Sequence, residues 1–308
     1  MNALLGISLK IVSTIAFTVM ATMIKLAGSG YPTGQIVFFR SFFALMPLLV
    51  WLASRHELID AVRTKRPLGH LRRSIAGSMA MFCGFTALAL LPLPDATAIG
   101  YATPLITTAL AAIVLKETVR VYRWSALGVG FLGMIIMMLP YFQAGGVGLT
   151  EGKAAGAMFG LLGAFCSAVA SIETRRLAQL EKTGAIVFYF STTAAVIGAS
   201  TLVLGWRMPN GHDAAILMLA GVMGGIGQIL LTSSYRFAPA SVIAPFDYTT
   251  LVWALIVGVL VFSDIPEPLV VFGAGLVVAA GLFVIWRERR LGLENRKRER
   301  ETGAQRAT

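Results

Sequence analysis

The sequence predicts an all-α membrane protein: ten transmembrane helices arranged as two inverted five-helix repeats. Three observations carry this reading. Hydrophobic residues make up 56% of the 308-residue chain and charged residues only 13%, with a mean hydropathy of +0.76, whereas a soluble domain carries about 25% charged residues. The apolar residues fall into runs long enough to cross a bilayer, separated by loops that alternate between basic and nearly uncharged. A nine-residue segment of the first half recurs in the second half, 150 residues further on.

A helix rising about 1.5 Å per residue needs about 17–25 residues to cross the hydrocarbon core. Ten segments meet that length: Leu4–Ala27, Gln35–Ser54, Ser74–Leu91, Ala96–Leu115, Trp124–Tyr141, Ala154–Thr174, Thr183–Leu204, Ala214–Tyr235, Ala240–Phe262 and Leu269–Trp286. None alternates polar and apolar residues as the strands of a membrane barrel do. The first run is longer than a signal-peptide core and is not followed by a small-residue cleavage site and a polar domain, so it reads as a retained helix.

Orientation follows from the basic residues. The even-numbered loops and the C-terminal tail hold 21 lysines and arginines, eight of them between Arg287 and Arg306, whereas the odd-numbered loops hold only Lys153 and Arg207. The positive-inside rule therefore places both termini in the cytoplasm. The net charge of +11 is accounted for by these flanking residues, and no nucleic-acid partner is expected.

The recurring segment is Thr33-Gly-Gln-Ile-Val-Phe-Phe-Arg40-Ser41, which returns as Thr183-Gly-Ala-Ile-Val-Phe-Tyr-Phe190-Ser191 with six of nine positions identical. Ala109-Leu110 and Glu117 correspond more loosely to Ala254-Leu255 and Asp264. A repeat of five helices is odd-numbered, so the second copy enters the membrane from the opposite side. Such inverted repeats are characteristic of alternating access around a midplane site. The expected units are residues 1–142, residues 150–287 and a basic cytoplasmic tail over 288–308.

Enzyme and cofactor chemistry find no footing. Cys83 and Cys166 lie inside apolar runs, and His56, His70 and His212 are read as lying between them, so no metal cluster and no intramembrane histidine are expected. Gly128-Val-Gly130-Phe-Leu-Gly133 matches a dinucleotide fingerprint, but such a site requires a preceding strand and a following acid. Close helix packing explains it better, and Gly156/Gly160 and Gly221/Gly225 share the small-xxx-small spacing.

Polar residues inside the spans are the functional pointers, because a charge at the bilayer centre costs at least about 2.5–3.5 kcal/mol. Lys25 and Glu173 lie near helix ends, where snorkelling accounts for them. Lys10 and Arg40 lie deeper. Asp247 follows Pro245 and precedes Tyr248, and Tyr101 similarly stands just before Pro104. A proline with polar and aromatic neighbours at depth marks a broken helix lining a cavity. Gln228 and Trp253 join the same expected lining. The candidate substrate-binding set is thus Lys10, Arg40, Tyr101, Pro104, Gln228, Asp247, Tyr248 and Trp253.

Several of these segments resemble the EamA type of the drug/metabolite transporter superfamily: Val37-Phe-Phe-Arg40, Asp95 through Tyr101 to Pro104, Leu115-Lys-Glu117, Gly128 to Gly133, and Ala240 to Pro245 with Tyr248. The resemblance covers about residues 4–287, departing where Asp264 stands in place of the family's usual glutamate. It implies ten helices, a central cavity, and transport of a small metabolite across the bacterial inner membrane without ATP hydrolysis or cofactor. Within the family the chain looks most like vitamin and cofactor uptake carriers, with riboflavin as the expected cargo and S-adenosylmethionine as the second choice. Amino-acid or drug efflux by the same fold is a further alternative. A membrane assembly protein with purely structural polar residues is the non-transport reading.

Overall fold

The computed structural model describes residues 3–28, 30–103, 149–178, 180–237, 249–263 and 265–280 as continuous stretches, residue 246, and shorter pieces between 106 and 139 and between 282 and 290. Of the expected site residues, Pro104, Asp247 and Tyr248 lie outside the described residues, as does the tail beyond 290.

The described residues are helical without strands. α1 spans Ala3–Gly28, α2 Thr33–Ser54, the short α3 Leu58–Val62, α4 Pro67–Leu90, α5 Leu93–Gly100, α6 Leu149–Ala178, α7 Thr183–Ser200, α8 Gly211–Phe237 and α9 Thr249–Phe262, and a shorter apolar helix, α10, covers Pro268–Ala280. Six helices among the described residues, α1, α2, α4, α6, α7 and α8, are long and apolar enough to cross a membrane. Outward faces carry large apolar side chains such as Val50, Ile75, Met158 and Val196, while serines and threonines are buried. This distribution suits a chain whose surrounding solvent is lipid.

Several helix starts depart from expectation, and that of α4 matters most. α4 begins at Pro67 rather than Ser74. Proline is favoured in the first helical turn because its missing N–H has no partner to lose there. The earlier start draws His70, Arg72 and Arg73 out of the expected loop and into the helix. The expectation that the helices contain no histidine is therefore overturned: His70 is buried in α4, and His212 stands in the first turn of α8. α6 is also longer than expected, a 30-residue helix. α7 gives way after Ser200 to a 3-10 turn over Thr201–Leu204, closed by Gly205 at φ 87, a left-handed conformation that glycine adopts without strain.

α1 packs along α8, α4 along α6, and α2 along α7, with α2 also against α8 and α4 against α7. Glycines set the closest approaches. A Cβ on Gly198 would come within 2.7 Å of the Phe38 backbone nitrogen, one on Gly225 within 2.6 Å of the Ala44 carbonyl oxygen, and one on Gly160 within 2.9 Å of Ile99. Of the small-xxx-small pairs read from the sequence, Gly221/Gly225 meet the backbone of α2, while Gly156/Gly160 make room for the side chains of Leu90, Leu91 and Ile99. α5 stops at Gly100 and Tyr101 adopts a turn, consistent with the absence at Pro104 of the N–H that would bond the Gly100 carbonyl.

Candidate functional site

Arg40 is the eighth residue of α2, and α2 is held tightly between α7 and α8. Its side chain is 4% exposed and runs past Gly224 of α8, where a Cβ would lie 3.0 Å from Nε. The guanidinium carbon sits 5.6 Å from the centroid of the Phe190 ring on α7. From α4, Arg73 presents its guanidinium to the same ring at 3.6 Å and donates from Nε to the Thr174 hydroxyl of α6 at 3.2 Å. Arg73 is 6% exposed. Both distances are within cation–π range.

These two cations are under-satisfied. Arg40 Nε and Nη1 and Arg73 Nη1 are buried without a hydrogen-bond partner in the protein, and no carboxylate among the described residues pairs with either arginine. Around them, the hydroxyls of Ser41, Ser74, Ser78 and Ser191 are equally buried and equally unpartnered. Buried polar groups are ordinarily hydrogen-bonded, so the concentration of exceptions where α2, α4 and α7 converge makes this the candidate site.

Of the remaining expected residues, Gln228 shares the Arg40 side and the others lie at two further places. Gln228, half-buried, lies one turn along α8 from Gly224 and so on the Arg40-facing side of that helix. Lys10 is buried on α1, one turn from Thr14, whose hydroxyl meets that of Thr249 on α9 at 3.0 Å. Trp253 follows one turn later on α9, with its indole N–H buried and unpartnered. Tyr101 packs elsewhere, in an apolar cluster with Leu91, Ile99, Val270 and Val277. A cavity of about 140 Å³ lies between α4, α5 and α6, lined by Ala80, Gly84, Gly100, Gly163 and Ser167 among others.

Arg73, Phe190 and the serines were missed by sequence reading. The sequence places Arg73 in a loop, whereas Phe190 carries a visible signal: it occupies the place of Arg40 in the 150-residue match, and Ser191 the place of Ser41.

Polar ties join the first half of the chain to the second at both ends of α2. At its N-terminal end, Gln35 donates to the Arg207 carbonyl at 2.7 Å and accepts from the Arg207 N–H at 3.1 Å, and the Tyr31 hydroxyl donates to Asp213 at 2.6 Å. At the opposite end, Glu181 accepts from the Thr64 hydroxyl at 2.8 Å and the Lys65 N–H at 3.0 Å, and Tyr189 donates to the Val62 carbonyl at 2.6 Å.

Residues 4–139 and 154–286 each match the model of the EamA-like transporter family. Similar curated proteins include an S-adenosylmethionine uptake transporter of Rickettsia prowazekii, 26% identical and covering 92% of this chain and 94% of that protein. The pseudopaline exporter CntI of Pseudomonas aeruginosa is 29% identical over 89% of this chain and 94% of its own length. A riboflavin transporter of Rhizobium johnstonii is 27% identical over 94% and 93%. A solved crystal structure shares the fold at a TM-score of 0.68 and 19% identity, covering 94% of this chain and 97% of that one.

Proposed function

The chain belongs to the EamA-like transporter family, a membrane transporter rather than an enzyme, and from that premise we propose that it carries a small polar metabolite across the bacterial inner membrane by alternating access between two inverted halves. The observation that carries the proposal is the placement of the two copies of the repeated segment. They lie on α2 and α7, which pack against each other and bring Arg40 opposite its counterpart Phe190. The other helix contacts fit the same pairing: α1 on α8 mirrors α6 on α4, and α2 on α8 mirrors α7 on α4.

The ties at the two ends of α2 fit this reading. Residue 31 bonds residue 213, and residue 181, its counterpart 150 positions on, bonds residue 64. A carrier that opens to each side in turn releases one set while holding the other. Both sets are small enough to break: a hydrogen bond contributes about 0.5–1.5 kcal/mol net, and states separated by a few kcal/mol interconvert readily.

For cargo, uptake of riboflavin or of S-adenosylmethionine are the two leading readings, and amino-acid-type or drug efflux is the alternative. The test is uptake of each labelled compound into liposomes holding the purified protein. Preloading with unlabelled cargo accelerates uptake by an alternating-access carrier, because the loaded return step replaces the empty one. A rate indifferent to preloading, or equal to that of protein-free liposomes, refutes the proposal.

A further inference from the structure

We propose that Arg40 and Arg73 together form the anion seat of the transported molecule, so that the cargo carries an oxyanion group, a carboxylate or a phosphate. This deepens the carrier reading and rests on it. Two guanidiniums flank one ring, Phe190, from two different helices. Like charges brought together in a medium of low dielectric repel, and buried charges are ordinarily paired. These two have a ring face and one threonine hydroxyl between them, with three N–H-bearing nitrogens unpartnered. The arrangement is costly for the protein alone and becomes favourable when an anion joins it.

The chemistry of the seat selects the anion. Guanidinium presents a planar fork that matches the two oxygens of a carboxylate or two oxygens of a phosphate. Ser41 follows Arg40 on α2, Ser191 follows Phe190 on α7 and Ser74 follows Arg73 on α4, each with a buried hydroxyl that has no partner in the protein. No carboxylate side chain among the described residues is paired with either arginine. Phe190 then acts as a shared platform that holds both guanidiniums in place without consuming their in-plane donors. Because α2 is tied to the segment before α8 at one end and the segment before α4 is tied to Glu181 and α7 at the other, an anion bound here touches the elements that must move.

The test loads liposomes holding wild-type protein, Arg40→Gln, Arg73→Gln, Arg40→Lys or Arg73→Lys with a polar metabolite extract and identifies by mass spectrometry what accumulates above protein-free controls. The expected cargo carries a carboxylate or a phosphate, which the spectrum distinguishes. Its uptake falls at least tenfold in both glutamine variants and is partly kept, with a raised KM, in the lysine variants. Melting of the purified proteins gives a second readout. Cargo raises the melting temperature of wild type and not of Arg40→Gln, while Arg40→Gln without cargo melts no lower than wild type, since it has lost an unpaired buried charge. A structural arginine would show the reverse, a lower melting temperature without cargo. Accumulation of an uncharged compound such as riboflavin, or uptake by the glutamine variants within twofold of wild type, overturns the anion seat and leaves the carrier reading standing. Accumulation of nothing overturns both.

Discussion

Gln35 and the backbone of Arg207 exchange a reciprocal pair of hydrogen bonds, at 2.7 and 3.1 Å, that joins the first turn of α2 to the segment leading into α8. Gln35 is 1% exposed while Arg207 is exposed, so the pair is sheltered from water on the Gln35 side only. Gln35→Leu removes both bonds to the exposed Arg207 backbone, at a net cost of about 0.5–1.5 kcal/mol each. The purified variant is expected to melt several degrees lower, with hydrogen exchange at the Arg207 amide accelerated at least tenfold. Gln35→Glu keeps the acceptor and falls between. Unchanged exchange at Arg207 would show that the tie does not constrain this end.

The glycines of the dinucleotide-like motif separate into two kinds. A Cβ on Gly133 would lie 2.7 Å from the carbonyl oxygen of Gly273 and 2.9 Å from Leu276, both on α10, whereas one on Gly128 would meet nothing within 4 Å. Gly133→Ala therefore forces a backbone shift, at about 1–3 kcal/mol for overpacking. Gly128→Ala is expected to be neutral or to stabilise by up to about 1 kcal/mol through helix propensity. Thermal unfolding of the two variants side by side checks the contrast, and equal melting would remove the packing account of the motif.

Tyr31 provides a pH dependence at the N-terminal end of α2. Its hydroxyl donates to Asp213, and that bond, with smaller contributions from desolvation and from the carboxylate's charge, raises the phenol above its ordinary value of 10.0. A group with a raised folded pKa contributes stability that is complete below its unfolded value and lost as pH rises through the folded one. The melting temperature of wild type is expected to fall more steeply than that of Tyr31→Phe above about pH 10, the ordinary tyrosine value, and the two curves to run parallel below it. Parallel curves throughout would mean that the bond does not persist in solution.

What was legible in the sequence, and what was not, has a physical pattern. The apolar runs behind α1, α2, α7 and α8 are long and uninterrupted, so hydropathy finds them within a few residues. Arg40 was legible because it is a lone charge in such a run. Arg73 was not, because it follows Arg72 and a polar stretch, and a hydropathy window sees only two loop charges. The helix that carries it starts on Pro67, whose signal is local rather than compositional. Phe190 was hidden for a different reason: an aromatic residue in a membrane helix is ordinary, and only its pairing with Arg40 across the repeat gives it meaning. Tyr101, which the sequence singles out for its company with a proline, packs in an apolar cluster with Leu91 and Ile99.

Orientation is testable with two fusions and a truncation. The lysine and arginine distribution predicts that alkaline phosphatase is inactive when fused after Arg306 and active when fused near Gly146. Truncation after Arg290 is expected to leave transport and membrane abundance unchanged, because the removed segment is polar, basic and without apolar periodicity. The reverse fusion pattern would reject the proposed inversion of the second half along with the orientation.

Asp247 stands two residues before Thr249, the first residue of α9, whose hydroxyl meets Thr14 on α1, one turn from the buried Lys10. In the sequence it follows Pro245, which cannot donate a helix hydrogen bond and leaves a carbonyl without its partner one turn earlier. Polar backbone at membrane depth is tolerated only where it is covered by protein or faces a water-filled cavity. From its place in an apolar run of the sequence, Asp247 is expected to be paired, bound to cargo or protonated. If it braces the fold, Asp247→Asn keeps the shape and most of the hydrogen bonding, and uptake survives. If it binds cargo or carries a coupling proton, Asp247→Asn abolishes accumulation while the protein still inserts at normal abundance. The second outcome is expected, at a loss of at least tenfold, with Asp247→Glu retaining part of the activity because it keeps the titratable group. The measurement is labelled uptake normalised to membrane-inserted protein for the three forms, and a wild-type rate in the asparagine variant would remove Asp247 from the site.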